Sequence, residues 1–310
     1  MDLRQLNALL AVAEHGSFSA AARALHTVQS NVSTHVARLE RELDATLVDR
    51  ATGTLTEQGA VVVARARRIQ AELDALLSDV TSLNAEVTGT VRLGMIGTTA
   101  RWLSPLLIDA LAHELPRVHL VIVDATTSSL LPQLASGRLD LAVVNLPLDE
   151  PDIDVEPLFD EERVLVAPAG HPLFDRDAIA LADLDGVPLL LEPTGTTFRD
   201  ELDAEASAAG CALVAQAEVD GMRLLASLAF QGFGAAILPA SAAPSWVGGD
   251  WRRIPVRGLP GRSVGLAARR HALLSAAARA LRDVLRTVVT QEAPGQGGIH
   301  VQTAHGAAAP

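Results

Sequence analysis

Val62, Ala66, Ile69, Leu73, Leu76, Val80, Leu83 and Val87 follow one another at alternating spacings of four and three without a break. Such spacing returns each side chain to the same face of an α-helix, so the segment predicts one long helix with an apolar seam. A seam of about three and a half heptads exceeds what a helix needs to lie on a globule. The economical partner is the same helix of a second chain; packing on its own domain is the alternative. The chain has 310 residues, enough for two or three units, and its texture differs on the two sides of this helix.

Before it the pattern is short and helical. Leu6, Leu9, Leu10 and Val12 form one apolar face, Gly16-Ser17 breaks it, and the pattern resumes from Phe18 with Ser17 placed as an N-cap. Leu25-His26-Thr27 reads as a tight turn. From Val28 a third helix is expected, with Val32, Val36, Leu39 and Leu43 on one face. Two helices joined so tightly suggest a helix-turn-helix. Ser30, Asn31, Ser33, Thr34, Arg38 and Arg41 lie away from the apolar stripe, and Gln29 sits at its edge. Short polar side chains let a helix enter a major groove, where Asn or Gln pairs with adenine and Arg with guanine. A polar face alone is also what any surface helix carries.

The residues Leu6, Ala11 to Glu14, Gly16-Ser17-Phe18, Ala21-Ala22, Leu25, Gln29-Ser30-Asn31-Val32-Ser33, Leu39-Glu40, Leu43 and Leu47-Val48-Asp49-Arg50 resemble the N-terminal domain of LysR-type transcriptional regulators. The resemblance implies a winged helix-turn-helix whose third helix is the recognition helix. Gln29, Ser30, Asn31, Ser33, Thr34 and Arg38 are then the implied DNA contacts, with Arg50 at the start of a wing over residues 50–56. That wing is short and Arg50 is its only basic residue.

The formal net charge is −12, lysine is absent, and the first sixty residues hold more Asp and Glu than Arg. Bulk electrostatic coating of nucleic acid is therefore excluded, and DNA binding has to rest on local geometry and on several heads acting together. The single cysteine, Cys211, forms no internal disulfide and fits a reducing compartment; an inert thiol is favoured over a redox sensor. The first residues read as neither signal peptide nor membrane anchor, so a cytoplasmic location is expected.

From Thr90 strands alternate with helices. Strands are expected over 91–96, 118–123, 139–144, 164–167, 187–192 and 235–238, with helices over 103–115 and 130–136, which implies mostly parallel sheets. Leu103-Ser104-Pro105, Ser136-Gly137-Arg138-Leu139-Asp140-Leu141-Ala142 and Gly232-Phe233-Gly234-Ala235-Ala236-Ile237-Leu238-Pro239 continue the family resemblance to about Val289. The fold implied there is a two-lobed α/β, periplasmic-binding-protein-like (type 2) effector domain. The expected division is a DNA-binding domain over 1–58, a linker helix over 59–88, and an effector domain over 89–290. Its first lobe would take 89–166 and 264–290 and its second 167–263, before a disordered tail over 291–310.

In an open α/β sheet ligands settle beyond the carboxyl ends of strands, where helix N-termini offer free N–H groups. Thr98, Thr99, Thr127, Ser128 and Thr196 follow three such ends and are the first ligand candidates, although a lone Thr there is commonly just a cap. Asn145, Asp220 and Met222 rank second, and Trp102 is a stacking face if it is not core. The expected partners are a dyad-symmetric DNA site, a small effector of carboxylate type, and further copies in a homodimer or, by resemblance, a homotetramer. No cofactor, metal or membrane partner is expected. Gly261-Arg262-Ser263-Val264-Gly265 spells a nucleophile elbow but lacks its strand-to-helix setting, so no enzyme is expected. A solute-binding module without a regulatory role is the alternative reading.

Overall fold

The computed structural model describes residues 1–82, 86–270 and 272–302. Leu83 of the expected seam and residues 303–310 of the expected tail lie outside these. The head is built from α1 (Leu3–His15), α2 (Phe18–Ala24) and α3 (Gln29–Leu43), which precede the long α4 (Glu57–Ser82). Asp2 caps α1 and Ser17 caps α2, while Gly16, at φ 70°, ends α1 in the left-handed conformation that suits glycine. Leu9, Val12, Val32, Val36, Leu39, Leu47 and Val48 form its core together with Val63 and Ala66 of α4. Gly59 is required at that join, because a Cβ there would stand 2.0 Å from the carbonyl oxygen of Leu47.

The described part of α4 runs to Ser82, and Val87 of the expected seam instead packs its side chain against the core of the following domain. Ile69, Leu76 and Val80 of the seam are 40–57% exposed, so the described residues leave much of that stripe open. Another face of α4 docks on the first lobe. The Arg68 Nε donates to the carbonyl of Ala135 at 2.8 Å, and Asp79 accepts from the Ala276 N–H at 2.8 Å.

Beyond α4 lie two six-stranded sheets. The first has the order β12-β4-β11-β3-β1-β2, from β1 (Gly89–Met95), β2 (Val118–Asp124), β3 (Leu141–Leu146), β4 (Ile153–Glu161), β11 (Arg262–Arg269) and β12 (Ile299–Val301). It packs with α5 (Gly97–Glu114), α6 (Thr127–Ala135) and α9 (Ala276–Glu292). The second sheet runs β6-β10-β5-β9-β7-β8, from β5 (Arg163–Pro168), β6 (Ile179–Ala180), β7 (Pro188–Leu191), β8 (Val214–Glu218), β9 (Ala235–Pro239) and β10 (Trp251–Arg257). Its helices are α7 (Thr197–Ala208) and α8 (Met222–Phe230).

The sheets are mixed rather than mostly parallel: β3, β11, β4 and β12 pair antiparallel in the first, and β9, β5 and β10 in the second. The antiparallel pairs arise because the chain crosses between lobes twice. It leaves the first sheet after Glu161, enters the second at Arg163, and returns between Arg257 and Arg262. The expected lobe boundaries therefore shift, and β5 belongs wholly to the second lobe.

The expected disordered tail is also corrected. Residues 291–302 finish α9 and form β12, which pairs with β4 and buries Ile299 in the first-lobe core. Glycine and alanine richness hid one well-placed isoleucine. Ile299→Ala is expected to lower the unfolding free energy by about 2–4 kcal/mol in denaturant titration, as other large-to-small core changes do.

Candidate DNA-reading and effector sites

The apolar and polar faces of α3 fall as the sequence predicts. Val32, Val36 and Leu39 are buried, whereas Gln29, Ser30, Asn31, Thr34 and Arg38 are exposed and Ser33 is half-buried. Several of these side chains are already held. Gln29 Oε1 accepts from the Ser19 hydroxyl at 2.9 Å, Asn31 Nδ2 donates to Thr27 Oγ1 at 3.0 Å, and the Thr34 hydroxyl donates to the Ser30 carbonyl at 2.7 Å. Among the described residues the Arg38 side chain has no hydrogen-bond or ion-pair partner.

The wing is a single antiparallel bridge between Val48 and Leu55. Arg50 is occupied within the head: it donates to Ser33 Oγ at 2.9 Å and Glu40 Oε2 at 3.0 Å, and lies 5.1 Å from the Phe18 ring centre. Glu40 in turn accepts from the Leu47 N–H at 2.9 Å. Arg50 thus braces the wing against α2 and α3. Arg38→Ala is expected to weaken binding to a selected operator roughly fivefold or more, by fluorescence anisotropy, without lowering the melting temperature. Arg50→Ala is expected to lower the melting temperature as well as affinity.

In the effector domain Thr98, Thr99, Thr127 and Asn145 gather where β1 and β3 end and α5 and α6 begin. Thr98 and Thr99 lie in the first turn of α5, which starts at Gly97, earlier than expected. Thr99 is fully buried, and neither its hydroxyl nor the buried Asn145 Oδ1 has a hydrogen-bond partner among the described residues. The Asn145 N–H donates to Thr127 Oγ1 at 3.1 Å, tying the end of β3 to the start of α6. Ser128 is exposed and shares a hydrogen bond with Thr126 at 3.0 Å.

The other candidates fall differently. Thr196 caps α7 in the second lobe, accepting from the Arg199 N–H at 3.4 Å. Met222 packs with the second-lobe core, and Trp102 is buried edge-on against Phe159 at 5.3 Å, so it is core and not a stacking face. Asp220 is exposed, and its charge adds to burial in holding the Glu192 carboxyl above its ordinary range.

Sequence reasoning missed the charged residues that join the lobes. Thr98 Oγ1 accepts from Arg262 at 2.5 Å, and the same guanidinium grips Glu161, whose carboxylate is fully buried and also takes the Ser241 N–H at 2.8 Å. Arg223 of α8 pairs with Asp124 at the end of β2. Arg101 of α5 reaches Ser227 Oγ of α8 at 2.9 Å, and burial together with Arg223 lowers its pKa. Asp124 at a strand end was the one available signal. The approach of α8 to α5 has none in local sequence.

A helical head with a short wing, a long helix exposing an apolar stripe, and a two-lobed α/β domain crossed by two strand connections define a DNA-binding regulator with an attached sensing domain. Residues 3–60 match the family model "Bacterial regulatory helix-turn-helix protein, lysR family", and residues 84–290 match "LysR substrate binding domain". The chain belongs to the LysR family of transcription regulators, which are not enzymes. It is 36% identical to a probable hydrogen peroxide-inducible genes activator of Streptomyces viridosporus, over 92% of this chain and 95% of that one. A protein of the same description from Mycobacterium leprae is 33% identical over 93% and 94%. Among solved structures, a full-length OxyR from Pseudomonas aeruginosa with a cysteine replaced by aspartate is similar at a TM-score of 0.73 and 27% identity, covering 93% and 94%. Full-length CbnR bound to its target DNA shares the fold at 0.66 and 24% identity, covering 94% and 100%. Among the described residues no helix is long and apolar enough to cross a membrane.

Proposed function

We propose that this regulator is a cytoplasmic, ligand-gated protein whose effector is a small carboxylate held between the lobes at the start of α5. The observation that carries this reading is the pair of buried polar atoms, Thr99 Oγ1 and Asn145 Oδ1, that have no partner among the described residues and lie at the start of that helix, whose N-cap Ile96 supplies no side-chain hydrogen bond. Buried polar atoms of this kind normally find a partner, and an orphan costs about 1–3 kcal/mol. A hydroxylated or aminated carboxylate supplies both halves: its carboxylate takes the helix N–H groups and the Thr99 hydroxyl, and its donor meets Asn145. Arg101 and Arg223 add positive charge nearby, and Asp124 is the one carboxylate paired with them among the described residues.

Hydrogen peroxide sensing, the role in the names of the relatives, fits this chain less well. Its one thiol is 8% exposed, donates to the Leu181 carbonyl at 3.5 Å, and is pushed above its ordinary pKa by burial and the Asp185 charge. A thiolate is the reactive form, and this site disfavours it; a second cysteine for an internal disulfide does not exist. Two chains pair through the exposed Ile69, Leu76 and Val80 stripe and set two heads on a dyad-symmetric site. Gln29, Ser30, Asn31, Ser33, Thr34 and Arg38 face that DNA.

The test is thermal denaturation of the full chain against a panel of C3 to C6 hydroxy-, amino- and dicarboxylates. At least one is expected to raise the melting temperature of the wild type. Thr99→Val, which removes the orphan hydroxyl at constant shape, is expected to melt at or above the wild type and to lose that rise. A panel that stabilises neither protein would overturn the carboxylate reading. Cys211→Ala is expected to leave peroxide-dependent and peroxide-independent reporter output unchanged; loss of a peroxide response in that variant would restore the thiol as a sensor.

A further inference from the structure

The recognition helix opens on a residue that helix-end chemistry does not favour. Val28 is the N-cap of α3, with extended backbone at φ −92° and ψ 151° and no side-chain cap hydrogen bond. Ser, Thr, Asp or Asn in that position would satisfy a first-turn N–H, and an apolar residue forgoes that stabilisation. The other two helices of the head do not forgo it, since Asp2 accepts from the Gln5 N–H and Ser17 from the Ala20 N–H. Packing does not compensate either, because Val28 is 59% exposed.

Its surroundings say what the side chain can meet. Leu25, in the turn that precedes α3, is a second exposed apolar residue at 41%. Thr27, the hydroxyl next to Val28, is engaged by Asn31 rather than turned to capping. Gln29 follows at once, its side-chain carbonyl oxygen steadied by Ser19 and its side-chain amide N–H groups without a partner among the described residues. A branched apolar group that neither caps nor packs therefore stands beside the side chain suited to reading adenine. The major-groove edge of DNA presents one apolar group, the C5 methyl of thymine.

We propose that Val28 is a specificity-determining residue that packs on a thymine methyl in the base pair read by Gln29 or the one beside it. The proposal rests on α3 being the helix that enters the major groove. Removing such a methyl costs the transfer of one buried carbon group, about a fourfold loss of affinity.

The experiment uses the full-length protein and a duplex selected by it from a random-sequence library, with affinities read at one fixed salt concentration. Each thymine of the selected duplex is replaced in turn by deoxyuridine, which keeps the pairing and loses the methyl. The wild type is expected to lose about fourfold at one position per half-site. Val28→Ala and Val28→Ser are expected to bind the thymine and uracil duplexes equally at that position. Val28→Ser, which restores a cap, is expected to melt no lower than the wild type. A loss on uracil that is the same in the wild type and both variants would overturn the proposal, as would a selected site in which no thymine is sensitive. In both cases the DNA-reading role of α3 would stand. Failure to select any site from the library would remove that role and the proposal with it.

Discussion

One buried ion pair fastens the two strand crossings that join the lobes of the effector domain. Glu161 sits at the last position of β4, where the chain leaves the first sheet, and Arg262 at the first position of β11, where it returns. Their pairing therefore joins the two crossings themselves. From that point Arg262 extends to Thr98 of α5, and the second Glu161 oxygen takes the Ser241 N–H at the edge of the second lobe. Breaking a buried pair by deleting one partner leaves an uncompensated charge, which costs about 3–5 kcal/mol. The hinge is thus polar and directional, and it ends on the helix turn that holds Thr99.

The first lobe passes its geometry on to the DNA head through helix ends. The nine-residue α6 begins at Thr127, where Asn145 is held, and ends at Ala135, whose carbonyl takes Arg68 of α4. Asp79 of α4 occupies the N-terminus of α9. Each contact places the favourable sign of charge at a helix end, positive at a carbonyl terminus and negative at an amide terminus. The same short helix therefore links the end of β3 to the helix that carries the head.

Much of the head was legible because its determinants are local. Gly16-Ser17, the apolar stripe of α3 and the tight turn before it each depend on residues within a few positions. The ligand candidates were legible only by position. Thr98, Thr99, Thr127 and Asn145 do come together, while Thr196 caps a helix, and Met222 and Trp102 pack in cores. A threonine before a helix looks the same in sequence whether it caps or waits for a ligand, because the difference lies in which distant groups surround it.

The sequence by itself determined the order of the parts: three short helices with the reading helix third, one long helix with an apolar stripe, then an α/β domain. Period and turn chemistry fix these over a few residues at a time. Only the tertiary structure decided that Arg50 braces the wing against Glu40, that β5 crosses to the second lobe, and that Ile299 completes the first sheet. It also decided that Arg262 meets Glu161 a hundred residues away in the chain. Such pairings are set by which surfaces bury together, a constraint that no local window of sequence contains.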